Sequence, residues 1–98
     1  MLRHIVLLGL SEDGGVEQIE AMETGLGELT SVIPEIEAYS VSKDLGISEG
    51  NATLAIVGDF ADEQAYRVYA EHPVHLAVIA DKIKPYVTSR SAVQVHID

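Results

Sequence analysis

The sequence contains no cysteine and no tryptophan, a single phenylalanine and only three prolines. Without cysteine there is no disulfide and no thiolate zinc site, which fits a reducing, cytoplasmic setting. Basic residues are scarce as well: six Lys and Arg stand against sixteen Asp and Glu, a formal net charge of −10. Nucleic-acid binding rests on neutralising phosphates with Lys and Arg, and anionic membranes attract polybasic segments, so the composition argues against both partners. The acidity reads as solubility. Long hydrophobic runs are missing too. The stretch Leu2 to Leu10 is too short to span a bilayer and carries no small-residue signal-peptide cleavage site, so it reads as a first strand.

What is present is an apolar fraction of 47 %, enough for a globular core. No repeat, linker or low-complexity tract divides the 98 residues, which make one domain over 1–98. In the first strand Leu2, His4, Val6, Leu8 and Leu10 share one face, and Arg3, Ile5, Leu7 and Gly9 the other; two mostly apolar faces imply a strand covered on both sides. Val16, Ile19, Met22, Leu26, Leu29 and Ile33 then recur at helical spacing, and Pro34 ends that helix. Gly25 and Gly27 mark either a close approach to the sheet or a frayed last turn.

Ile36 to Lys43 alternates weakly as a second strand, with Ile36, Ala38, Ser40 and Ser42 on one face and Glu37, Tyr39, Val41 and Lys43 on the other. A loop with Gly46 and Gly50 leads to a third strand, Ala52 to Phe60. A helix follows to Glu71, with Ala65, Val68, Tyr69 and His72 on one face. A bend is expected at His72-Pro73, then a helix over Val74 to Lys84 whose apolar stripe is Leu76, Ile79, Ala80 and Ile83. Val87 to Ile97 is the last strand. The order β-α-β-β-α-β predicts an α+β fold with helices on one face of a four-stranded antiparallel sheet. The other face stays apolar and open, and two such sheets can close face to face about a two-fold axis, so a homodimer with a shared barrel interior is expected.

Three segments resemble a known family. The opening Leu2-Arg3-His4-Ile5-Val6-Leu7-Leu8, the turn Ile33-Pro34-Glu35-Ile36, and Tyr69-Ala70-Glu71-His72-Pro73-Val74-His75 together resemble the stress-responsive dimeric A/B barrel (Dabb) family, and Phe60 ahead of Asp62-Glu63 fits the same pattern. The resemblance covers nearly the whole chain and implies a ferredoxin-like fold in a dimeric α/β barrel. It also implies roles, because the family includes a plant polyketide cyclase that closes a linear poly-β-ketoacyl thioester by an aldol step. Its histidine base and tyrosine helper match His75 and Tyr69. A further pocket histidine of that cyclase falls where this chain has Leu54.

The chemistry is sound for those residue types. A neutral imidazole deprotonates a carbon flanked by two carbonyls, and a phenol steadies the enolate. His75 and Tyr69 are therefore the candidate catalytic residues, and His4 and His72 the candidate binding residues, for a small apolar or aromatic ligand. On one straight helix Tyr69 and His75 would lie roughly 120° apart, so their pairing depends on the break at Pro73. Each residue also has a structural reading: His72 as a cap at the bend, His75 as a fold-stabilising hydrogen bond, Tyr69 as core, His4 as a satisfied half-buried histidine. His72 and His75 are too few to hold zinc, and no carboxylate completes the set, so neither a metal nor another cofactor is expected. Lys82, Lys84 and Arg90 form a small basic group that suits a thioester's phosphates, although helix-dipole complementarity accounts for the two lysines. Beside the cyclase-like reading stand a non-catalytic stress-associated binding or structural protein and a cofactor-independent monooxygenase-like barrel.

Overall fold

Period-two patterning at both ends of the chain becomes the middle and one edge of a single sheet. In the computed structural model, which describes Met1–Asp98, the elements run β1 (Leu2–Leu10), α1 (Val16–Gly27), α2 (Leu29–Val32), β2 (Ile36–Lys43), β3 (Leu54–Phe60), α3 (Glu63–Glu71), α4 (Pro73–Val78), a π-helical turn (Ile79–Ile83) and β4 (Val87–His96). The strands form one antiparallel sheet in the order β2-β3-β1-β4. This is the ferredoxin-like arrangement that the order of elements predicts. No helix is long and apolar enough to cross a membrane.

The helices cover one face of the sheet. Val6 and Leu8 of β1 and Leu54, Ile56 and Phe60 of β3 are buried against Met22, Leu26, Leu29 and Ile33. The expected stripe of the first helix holds from Ile19 onward, whereas Val16, in the first turn, is 62 % exposed. That helix is also two helices, with a tightened step in which the Ser31 N–H bonds the Glu28 carbonyl at 3.1 Å. Gly25 does mark a close approach, but to the later helix rather than the sheet: a Cβ there would sit 3.1 Å from Lys82 Cδ.

In β2 the expected facing is corrected. Ile36, Tyr39 and Val41 together pack on the core. Pairing with β3 slips between Ile36 and Ala38, and the extra residue, Glu37, inverts the alternation beyond it. In α3 the core face is Ala65, Tyr66, Tyr69 and Ala70; Val68, expected on that face, is exposed. Tyr39 can fold over β3 because its cross-strand neighbour is Gly58, where a Cβ would lie 3.1 Å from both the Tyr39 and Phe60 rings.

The opposite sheet face carries Ile5, Leu7, Ala55, Val57, Val93 and Val95, of which Leu7, Val93 and Val95 are well exposed. One pair of polar residues crosses it, Arg3 bonding Asp59 through Nε and a terminal nitrogen at 2.8 and 3.0 Å. Those bonds hold the Asp59 carboxyl below its ordinary range. Within one chain, then, β1 is covered on one side only.

Candidate functional site

The site begins with a proline that lacks a hydrogen. Pro73 cannot donate to the Tyr69 carbonyl, and the residue before a proline is driven out of helical geometry. His72 is accordingly extended, with φ −66° and ψ 131°, and separates α3 from α4. Its ring Nδ1 accepts the Val74 N–H at 3.1 Å, which caps α4. His72 thus takes the structural role foreseen for it, and it does not line the cavity described below.

This cap has a second effect. In a continuous helix the Val74 N–H would go to the Ala70 carbonyl. With that donor diverted to His72, the Ala70 carbonyl receives the His75 ring at Nδ1, 3.2 Å away. A carbonyl only accepts, so Nδ1 carries the hydrogen and the lone pair is on Nε2. The bend also brings the His75 ring to 4.2 Å from the Tyr69 ring, centre to centre. The break therefore supplies the meeting of His75 and Tyr69 that a straight helix would forbid.

Tyr69 is buried between Phe60, at a ring separation of 5.0 Å, and Tyr39, whose hydroxyl shares a 2.8 Å hydrogen bond with its own. Burial is the leading cause that raises both phenols above their usual range, so both hydroxyls keep their protons. His4, also buried, packs at a tilt against Tyr66, with the ring centres 4.8 Å apart. Gln94 on β4, directly across from it in the sheet, donates from Nε2 to His4 Nδ1 at 2.7 Å. His4 therefore offers Nε2–H as a donor, complementary to the lone pair of His75.

Electrostatics keeps both rings neutral. Burial first, then the nearby Arg90 and His75, push the His4 pKa down to about 4. His75 is also lowered, by burial first; its bond to the Ala70 carbonyl opposes the shift and His72 adds to it. A histidine depressed in the fold loses stability as pH falls through its unfolded value. For His4 that window runs from 6.5 down to about 4, worth about 3 kcal/mol at 1.36 kcal/mol per unit. Thermal melts across this window should therefore separate wild type from His4→Gln, which retains an acceptor for Gln94. Wild type should lose the more between pH 7 and 4, and parallel curves would contradict the assignment.

These groups meet in a cavity of about 450 Å³ between the helices and the sheet, lined among others by His4, Tyr69, His75, Leu76, Ile83 and Arg90. The cavity lies on the helix side of one chain's own sheet, away from the open face. The basic group divides likewise: Lys84 and Arg90 line the cavity, whereas the Lys82 stem lies along Gly25. No three His, Asp or Glu side chains are grouped to hold a metal ion. Tyr39, Tyr66 and Gln94 complete the site without having been singled out in the sequence. Gln94 shares an alternate set with Arg90 in the last strand, the one signal that could have marked it.

Residues 2–97 match the family described as the stress responsive A/B barrel domain, Dabb. No curated protein matches the chain. Among solved structures, a dimeric ferredoxin-like protein of unknown function from Thermobifida fusca YX is 36 % identical, with a TM-score of 0.89 over 98 % of this chain and 90 % of that one. A dimeric protein of unknown function and ferredoxin-like fold from Bacteroides fragilis NCTC 9343 is 24 % identical, with a TM-score of 0.86 over 98 % and 95 %. A hydroxynitrile lyase from Passiflora edulis has the same fold at 21 % identity, with a TM-score of 0.84 over 99 % and 93 %. With its full-length match and its ferredoxin-like topology, the chain belongs to the stress responsive A/B barrel domain family.

Proposed function

We propose that this protein binds a small apolar or aromatic carbonyl compound in the helix-side cavity and moves a proton on it, with His75 as general base and Tyr69 as helper. The observation that carries this reading is the His75 ring, anchored at Nδ1 by the Ala70 carbonyl and neutral, against the buried Tyr69 ring. In the aldol form, His75 Nε2 takes a proton from the carbon between two carbonyls. The resulting enolate attacks a distal carbonyl carbon of the same chain, and the new alkoxide takes a proton back from the imidazolium. With Tyr39 as donor in the bond that the two phenols share, Tyr69 would keep its own proton to hold the enolate oxygen. His4 donates from Nε2 to a second substrate oxygen. The likeness in fold to a hydroxynitrile lyase supports base chemistry on this scaffold.

Two copies are proposed to pair through the open sheet face, as a small domain with an uncovered apolar surface favours. The similar proteins described as dimeric support this.

A panel of linear β-ketoacyl thioesters, with an aromatic hydroxynitrile as a further member, tests the chemistry. Wild type should give products absent from, or faster than, the buffer reaction, with kcat/KM rising with pH through a value below 6.5 and then level. A product spectrum identical to buffer for every member would end the enzyme reading and leave a ligand-binding protein.

A further inference from the structure

The cavity carries a charge pattern that the proton-transfer reading does not use. It has no Asp or Glu in its lining, although the chain has sixteen of them. Two of the six basic residues, Lys84 and Arg90, do line it. The other positions show why this is unusual here. Arg3 is engaged with Asp59, Arg67 with Glu63, and Lys82 lies 4.0 Å from Asp81. Lys43 borders a different hollow, beside Asp44. Lys84 and Arg90 alone combine freedom from any carboxylate with a place on an apolar chamber, and both are exposed.

Their placement is fixed by the fold. Arg90 pairs with Leu8 across the sheet and belongs to the same alternate set as Ala92 and Gln94, so it shares the face of His4. Lys84 follows the π-helical turn directly and comes to the chamber from the helix layer. The two cations thus approach from opposite layers, while His4, Tyr69 and His75 lie further along the same apolar wall. That the Arg90 charge is felt at both His4 and Tyr69 agrees with this placement.

We propose that the cavity selects an amphipathic anion, with its apolar body among the aliphatic and aromatic side chains and its carboxylate or phosphoryl head held by Arg90 and Lys84. This rests on the proposed ligand site and names the class of compound it takes. A guanidinium offers a planar fork that matches either head group, and the ammonium adds a second, mobile donor. The net charge of −10 would repel anions from the rest of the surface, so this chamber is where one is drawn in.

Titration calorimetry with decanoate, decyl phosphate and decan-1-ol tests the proposal on the intact protein. At low salt one or both anions should bind wild type about tenfold more tightly than the alcohol, a charge-assisted bond near the surface. The advantage should shrink as salt is raised. Arg90→Gln with Lys84→Gln should remove the preference and leave decan-1-ol affinity unchanged, and both positions are exposed, so the fold is not at stake. The order of the two anions tells which head group is meant. Equal binding of alcohol and anions, binding of none of them, or equal loss for all three in the double variant would overturn the proposal. His75→Ala separates this result from the reaction: it should keep the anion preference whether or not turnover exists. A preference without turnover would sink the reaction alone, and turnover without a preference would sink this inference alone.

Discussion

His75→Ala should lower kcat/KM on any thioester that wild type cyclises by roughly 10²–10⁴-fold, the usual worth of a positioned base. Geometry, not merely the presence of a histidine, makes this residue a base. The Ala70 carbonyl fixes which nitrogen is bare, burial keeps it bare at neutral pH, and the Tyr69 ring packs on it at 4.2 Å. The variant should remain folded, since the ring removed is only partly buried. Tyr69→Phe is expected to behave differently. It strips the Tyr39 hydroxyl of its partner, so it should cost about 1–3 kcal/mol of stability as well as rate. A His75→Ala protein with wild-type kcat/KM and an unchanged pH profile would remove His75 from the mechanism. Loss of stability in both variants with no change in any turnover would assign the two residues to the fold alone.

The second large effect concerns assembly. Leu7→Asp should turn the proposed pair into single chains at micromolar concentration. Leu7 is in the central strand of the open face, flanked by Ala55 and Ser91. Covering that face would strand a carboxylate without a partner, at several kcal/mol, and two-fold symmetry imposes the cost twice. The dissociation constant should rise on the order of 10⁴-fold or more. In the isolated chain the position is already exposed, so the circular dichroism spectrum should stay native. Light scattering checks the result, with Val93→Asp on β4 as an independent variant. A wild type that is monomeric, or a Leu7→Asp protein that stays paired, would rule out this face as the interface.

Much of the fold was legible because it depends on local pattern. The apolar run of the first strand placed it in the sheet, although one chain covers only one of its two apolar faces, and Pro73 does break the helix where the residue before it cannot be helical. The dependence of the Tyr69–His75 contact on that break was equally readable. What sequence could not supply depends on pairing. The inversion at Glu37 exists only against β3, so Tyr39 fell on the wrong side of a simple alternation. Gln94 reaches His4 across ninety positions of chain through the sheet register. Leu76, read as part of the core stripe, is half exposed at the cavity, and Lys84 lines that cavity whereas Lys82 does not. The cavity has no signal in the sequence for a related reason: only packing shows that the helices leave room of their own over the sheet.

A single backbone layer separates the chamber from the surface proposed for pairing. Side chains alternate across that layer, so no residue of β1, β3 or β4 serves both. Two joined copies would hold two complete and separate reaction vessels, neither borrowing a group from its neighbour. Substrate preference and subunit affinity could then be altered one at a time, by changing residues on one side or the other of the same strand.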